Sequence, residues 1–313
     1  MHGMTVQKLF VRGLSLTIFV MTIATFWGRT SDAAEITCLK KFTGSISAEK
    51  RALALERWPS GRTPNAETCI RALIKGTIIA GDSVKFAQLL RKNHPFLERV
   101  LLWSSGGSVE EAMQIGGLIR RGLIETEAPA LLGSNFLRSG HLPDDPIICR
   151  GVNCNCASAC FLIWASGIMR SGHALGLHRP TTKSTSFASL PPDRASILYR
   201  KLLSEIATYL GEMEIPQRYI DIMTNTSSSD IRWINDEADS ISTPPSVAEW
   251  ITSSCGSFSK SEEHTLENLY VKPKITLQEK QVRDRLQKKR TEISLCGMYK
   301  IDKARDAIKQ ING

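Results

Sequence analysis

No G-x-x-x-x-G-K-[S/T] loop occurs anywhere in this 313-residue chain, so it carries no legible cradle for nucleotide phosphates. Paired C-x-x-C knuckles are missing too: Cys149, Cys154, Cys156 and Cys160 are separated by four, one and three residues, which argues against a four-thiolate zinc cluster. Internal repeats and low-complexity tracts are absent, which excludes solenoids and disordered arrays. So is a basic stretch interleaved with aromatics, which argues against nucleic acid as a partner. The first 37 residues contain no cysteine, although eight follow. What remains is 42% hydrophobic and long enough for one large α/β domain with accessory segments.

The cysteine-free start has the layout of a signal peptide. Lys8 and Arg12 form a basic entry, Leu14 to Trp27 is apolar, and Ser31-Asp32-Ala33 offers small residues for cleavage. Residues 1–33 are therefore expected to be removed, leaving 280. The alternative is an uncleaved anchor, but an uncharged run of about sixteen residues is short for a bilayer core. All eight cysteines (Cys38, Cys69, Cys149, Cys154, Cys156, Cys160, Cys255, Cys296) lie beyond this point. An even count in an exported chain predicts disulfides, and the expected location is outside the cytoplasm, in the periplasm. Pairing Cys38 with Cys69 and Cys255 with Cys296 would tie down the terminal segments and leave the middle four near Ser158.

Removing residues 1–33 lowers the formal charge from +9 to +7, because Lys8, Arg12 and Arg29 leave with Asp32. Much of the excess lies in Lys260 to Gly313, where 13 Lys and Arg face 8 Asp and Glu, with a helical run over Leu277 to Arg290. A solvated helix is the simpler reading of that run. Peripheral docking on an anionic membrane is the functional one.

Three motifs carry chemistry. The stretch Cys154-Asn-Cys-Ala-Ser158-Ala-Cys160 precedes an apolar helix, Leu175-Gly-Leu-His178-Arg-Pro180 ends a short strand, and Trp103-Ser-Ser-Gly106-Gly107-Ser-Val109 joins a strand to a helix. A serine hydroxyl attacks a carbonyl only when a base takes its proton and N–H donors receive the oxyanion. Each motif has a plainer reading beside this: Ser158 as a helix cap, His178 as a surface residue, the glycines as a turn.

In content and order the motifs resemble the Clp protease proteolytic subunit and the wider ClpP/crotonase superfamily, and above all its predicted exported relatives with Cys-x-Ser-x-Cys. The resemblance spans roughly Leu73 to Trp250. It implies a superhelical α/β fold of repeated strand-strand-helix units, Ser158 as nucleophile and His178 as general base. Gly106, Gly107 and Ala159 are then expected to form the oxyanion hole. Departures from the family are Ser105 for Pro and Ala159-Cys160 for Met-Gly. The orienting acid is expected at Asp230, in Asp230-Ile-Arg-Trp-Ile-Asn-Asp-Glu-Ala238, with a turn cap as its alternative role.

Hydrophobic periodicity predicts strands over Leu73–Ile79, Arg99–Trp103, Leu123–Ala128 and Ala174–Leu177. Helices are expected over Ser83–Lys92, Val109–Arg121, Ser158–Ser166, Pro192–Leu210 and Pro216–Met223, and another after Pro244-Pro245. Residues 131–156 form an insertion that would serve as a lid. The expected organisation is 1–33 signal peptide, 34–71 accessory segment, 72–254 ClpP-like domain and 255–313 basic helical extension. Function follows as an exported serine peptidase of peptides or unfolded segments, needing no ATP, metal or cofactor, with self-association left open. Its rival is a catalytically silent binding or assembly protein of the cell envelope on the same fold.

Overall fold

The structure is a computed structural model that describes residues 33–43, 56–131, 148–149, 154–181 and 189–308. Those residues belong to one compact unit. Its first sheet runs β1 (Glu35–Lys41), β2 (Cys69–Lys75), β3 (Arg99–Trp103), β4 (Glu125–Glu127) and β8 (Arg170–Ser171), side by side in that order. Only β1 is antiparallel to its neighbour, and β2, β3, β4 and β8 are parallel. Strand β3 reads Arg-Val-Leu-Leu-Trp with Val100, Leu101 and Leu102 fully buried, the near-continuous apolar run of a parallel strand covered on both faces.

A second sheet holds β7 (Cys156–Ala157), β9 (Leu175–Leu177) and the edge strand β10 (Arg232–Trp233), in the order β10-β9-β7. A small third sheet pairs β5 (Ala130–Leu131) with β6 (Ile148–Cys149). A unit recurs along the chain: a strand of the first sheet, a short extended step, then a helix. Strand β2 passes through Thr77–Ile78 to α1 (Asp82–Asn93), and β3 passes through Ser104–Gly107 to α2 (Val109–Arg121). Strand β8 passes through β9 to α4 (Pro192–Glu212). Bridges Ile78↔Gly107 and Ser104↔Cys156 stitch the short steps into the second sheet.

Helix α3 (Ala159–Ala165) follows β7 and is apolar on every side, with all seven residues buried. A helix with no polar face must sit inside the core, and α3 packs against α2 and the sheets. Beyond α4 come α5 (Gln217–Asn225), β10, a 3-10 turn (Asp236–Ile241), α6 (Pro245–Cys255), α7 (Lys260–Val271) and α8 (Leu277–Ala307).

The terminal segments are part of the fold rather than accessories to it. Strand β1 completes the first sheet, and β2 begins at Cys69, so a boundary at residue 72 would cut through a strand. Expected to start at Leu73, β2 instead ends at Lys75 because Gly76, at φ 103°, turns the chain out of the sheet. At the other end, Arg305 of α8 is buried and donates to the Leu123 carbonyl at 2.8 Å while pairing with Asp302 at 2.8 Å. Asp302 also receives Arg57, which reaches Glu98 at 3.0 Å. A buried ionic cluster of this kind stays put only when every charge is paired, which pins α8 in place.

Disulfides join Cys38 to Cys69, Cys156 to Cys160 and Cys255 to Cys296. Cys154 is disulfide-bonded as well, and the described residues contain no free thiol. Such usage fits an oxidising, exported environment. No described helix is long and apolar enough to cross a membrane. Apart from Ala33, the expected signal peptide lies outside the described residues, and so does most of the 131–156 insertion.

Candidate active site

Ser158 stands at the turn from β7 into α3 with φ 56° and ψ −123°. This is a conformation that side-chain-bearing residues rarely adopt, costing about 1–3 kcal/mol wherever the surrounding fold imposes it. The main chain imposes it here. Ala157 N–H donates to the Ser104 carbonyl at 3.0 Å, Ser158 N–H to the Gly176 carbonyl at 2.9 Å, and Phe161 N–H to the Ser158 carbonyl at 3.0 Å. The Cys156–Cys160 bridge then closes a loop around the serine from strand to helix. The hydroxyl does not cap α3, and Ser158 Oγ has no hydrogen-bond partner among the described residues. Capping, the plainer role, is therefore not what this side chain does.

The glycine turn is packed onto this elbow. A β-carbon on Gly106 would fall 2.7 Å from Ser158 Cβ and 3.2 Å from the Ala159 nitrogen. One on Gly107 would strike the Ile78 carbonyl oxygen at 2.1 Å. Ile78 clamps the turn from both sides, its N–H donating to the Gly106 carbonyl at 2.9 Å and its carbonyl accepting from Ser108 N–H at 2.8 Å. The Gly106 N–H is spent on the Ser104 hydroxyl at 3.1 Å. Gly106 is thus a spacer rather than an oxyanion donor. The N–H groups of Gly107 and Ala159 donate to no described acceptor, Ala159 being the first residue of its helix. Of the three positions expected to form the oxyanion hole, Gly107 and Ala159 therefore keep a free N–H among the described residues, and Gly106 does not.

His178 follows β9 directly, and β9 lies parallel to β7 with Ala157 beside Gly176. Two neighbouring parallel strands therefore deliver Ser158 and His178 to the same end of the second sheet. The imidazole makes no hydrogen bond to Ser158, and instead Nδ1 lies 2.8 Å from the Arg179 carbonyl oxygen. A carbonyl can only accept, so the proton of the neutral ring sits on Nδ1 and Nε2 carries the lone pair. That is the tautomer a general base needs.

Asp230 does not orient His178. Strand β10 pairs with β9 so that Arg232 faces Leu177 and Trp233 faces Gly176. The same register carried onward sets Ile231 beside His178 and Asp230 beside Arg179. Asp230 is exposed in a turn closed by its own N–H to the Ser227 carbonyl at 3.0 Å, and its carboxylate pairs with nothing described. The orienting acceptor is the Arg179 main-chain carbonyl, which no side-chain motif could announce. Among the described residues Asp239 lies 3.3 Å from His173 Nε2, at the opposite end of β9.

Two further residues escaped the sequence reading. Ser104, buried at the end of β3, holds the glycine turn through its hydroxyl, a role that a serine two residues before a glycine pair could have suggested. Gly176 lets Ile231 and Trp233 lie over β9, since a β-carbon there would come within 2.7 Å of Ile231 and 3.0 Å of Trp233. Both side chains remain substantially exposed beside His178. No group of His, Cys, Asp or Glu among the described residues is arranged to hold a metal ion. No protein-family model, curated protein or solved structure matches the chain.

Proposed function

We propose that this chain is an exported serine hydrolase of the ClpP/crotonase type, acting as a peptidase on peptides or unfolded segments without ATP. The backbone of Ser158 carries the reading. A non-glycine residue held at φ 56° on a strand-to-helix turn, with a hydroxyl that bonds to none of the described residues, is what a nucleophile requires and what a structural serine avoids. The recurring strand, short strand and helix, and the split into two bridged sheets, support the superhelical fold that the motifs imply.

Chemically, Ser158 Oγ would attack a carbonyl carbon while His178 Nε2 takes its proton. The Gly107 and Ala159 N–H groups would receive the oxyanion, and the protonated imidazole would return its proton to the leaving amine. Water then hydrolyses the acyl-enzyme by the same route. The Arg179 carbonyl keeps the ring in register and stabilises the imidazolium. For this the His178 side chain must close on Ser158, a movement compatible with the loose hydrogen bonds of unliganded active sites.

The rival is a silent binding protein in which the Cys156–Cys160 bridge merely braces the fold, and the missing Ser158–His178 hydrogen bond favours it. A fluorophosphonate probe separates the two. The hydrolase reading expects covalent labelling of the wild type, none of Ser158→Ala, and a strong reduction in His178→Gln. Absence of labelling in folded, oxidised wild type would sink it.

A further inference from the structure

The basic helical run from Leu277 to Arg290 does not present an amphipathic face that could lie flat on a membrane. Between Gln278 and Arg290 the apolar side chains are Val282 and Leu286, and both are drawn out of full exposure, leaving charged and amide groups outside. The tip of the α7–α8 hairpin instead carries the two most exposed large apolar side chains among the described residues, Val271 and Leu277, with Tyr270 beside them in sequence; Leu295 and Met298 of α8 are exposed too, further along the helix. Tyr270 is 52% exposed, Val271 80% and Leu277 74%.

The hairpin is built to hold this tip rigidly and far from the core. Capping boxes at Ser259 and Thr276 fix both helix starts, Lys289 binds Glu262 at 2.6 Å and Lys272 binds Glu279 at 2.6 Å. Leu266, Leu269 and Leu286 are buried, and Cys255–Cys296 ties α6 to α8. Arg305, the anchor in the core, is 28 residues from Leu277, so the tip projects about 42 Å along the helix. Lys272, Lys274 and Lys280 flank the apolar residues in sequence; Lys272 is paired with Glu279, while the exposed Lys274 and Lys280 have no carboxylate partner among the described residues. Exposed Val, Leu and Tyr with unpaired lysines on the same hairpin tip match the layering of an anionic bilayer, acyl chains beneath negative headgroups.

We infer that the α7–α8 tip is a membrane-contact site that seats Tyr270, Val271 and Leu277 in the interface of an anionic lipid surface, with Lys274 and Lys280 on the headgroups. The site is independent of any chemistry at Ser158. It would hold the molecule at the envelope membrane while the rest of the domain stands clear of it.

The test is hydrogen exchange, resolved peptide by peptide, on the full oxidised chain with vesicles of equal parts phosphatidylcholine and phosphatidylglycerol, or of phosphatidylcholine alone. Reading the 270–280 peptides separately keeps any vesicle binding by the apolar N-terminal segment from counting. Protection of 270–280 is expected on the anionic vesicles and lost in Val271→Asp/Leu277→Asp. Lys274→Gln/Lys280→Gln should weaken binding through this site on the order of 25-fold, roughly fivefold per charge. All four positions are exposed, so unchanged melting temperatures should accompany these effects. Unchanged exchange at 270–280 on anionic vesicles, or equal protection on both lipids, overturns the inference. Protection that appears without lipid and grows with protein concentration assigns the tip to a second copy of the chain and overturns it equally.

Discussion

Gly106 and Ser158 are packed so closely that a β-carbon on the glycine would lie 2.7 Å from the serine's own β-carbon. The contact explains why the two motifs must be considered together. The glycine turn leaves room for the elbow, the elbow sets the Ser158 β-carbon against the turn, and the Gly107 and Ala159 N–H groups come from the two facing segments.

The strained serine predicts an uncommon pair of outcomes. Ser158→Ala should melt within about 1 kcal/mol of the wild type, because the hydroxyl caps nothing and bonds to nothing described. Ser158→Gly should melt at or above the wild type, since glycine accepts φ 56° freely and that relief outweighs its own entropic cost of about 0.5–1 kcal/mol. Neither variant should label with a fluorophosphonate. Thermal unfolding read beside labelling checks this, and a clear loss of stability in Ser158→Gly would show that the turn is unstrained.

Substitution at Gly107 should damage the fold rather than the chemistry alone. Its φ of 138° already disfavours other residues, and any β-carbon meets the Ile78 backbone at 2.1 Å, an obstacle that cannot rotate away. Gly107→Val should therefore cost at least about 2–3 kcal/mol. A variant that folds with wild-type stability by denaturant titration would mean that the turn is looser than described.

The disulfides should separate stability from activity. In the chain-entropy picture, a loop closed over 31 or 41 residues is worth about 4 kcal/mol and one closed over 4 about 2 kcal/mol. Replacing both members of Cys38–Cys69 by alanine should lower the melting temperature more, yet leave probe labelling intact. Replacing Cys156 and Cys160 should lower it less and suppress labelling, because that loop encloses the elbow. Labelling that merely follows stability across the two variants would reduce Cys156–Cys160 to a brace.

Acid should loosen the α7–α8 hairpin. The carboxyls of Glu262 and Glu279 are each held down to about 2, chiefly by hydrogen bonds from Lys289 and Lys272 and from the capped main chain. A depressed folded pKa means that their contribution is complete above the ordinary value of 4.5 and is lost as pH falls toward about 2. Proteolysis or hydrogen exchange in α7 and α8 should rise across that window. Glu262→Gln/Glu279→Gln should flatten the dependence, and identical pH profiles would show that the hairpin rests on its apolar contacts alone.

Local pattern made much of this molecule legible. The buried run Val100-Leu-Leu gives β3 its bounds, the amphipathic spacing from Val109 to Arg121 gives α2 its bounds, and the even, late-placed cysteines announce disulfides, because each of these follows from side chains near in sequence. The order of Gly106-Gly107, Ser158 and His178 was legible for the same reason. Other features depend on strands that meet only in the fold. That β1 closes the first sheet, that Arg305 reaches Leu123, and that β10 sets Ile231 rather than Asp230 beside His178 are matters of register, which periodicity cannot supply. The sequence by itself determined where the strand-to-helix turns fall and which side chains are candidates for chemistry. Only tertiary structure decided that Ser158 is held in a strained elbow, that a main-chain carbonyl rather than an acid orients His178, and that Val271 and Leu277 stand exposed at a hairpin tip, because backbone angles, carbonyl directions and solvent exposure exist only once the chain has packed.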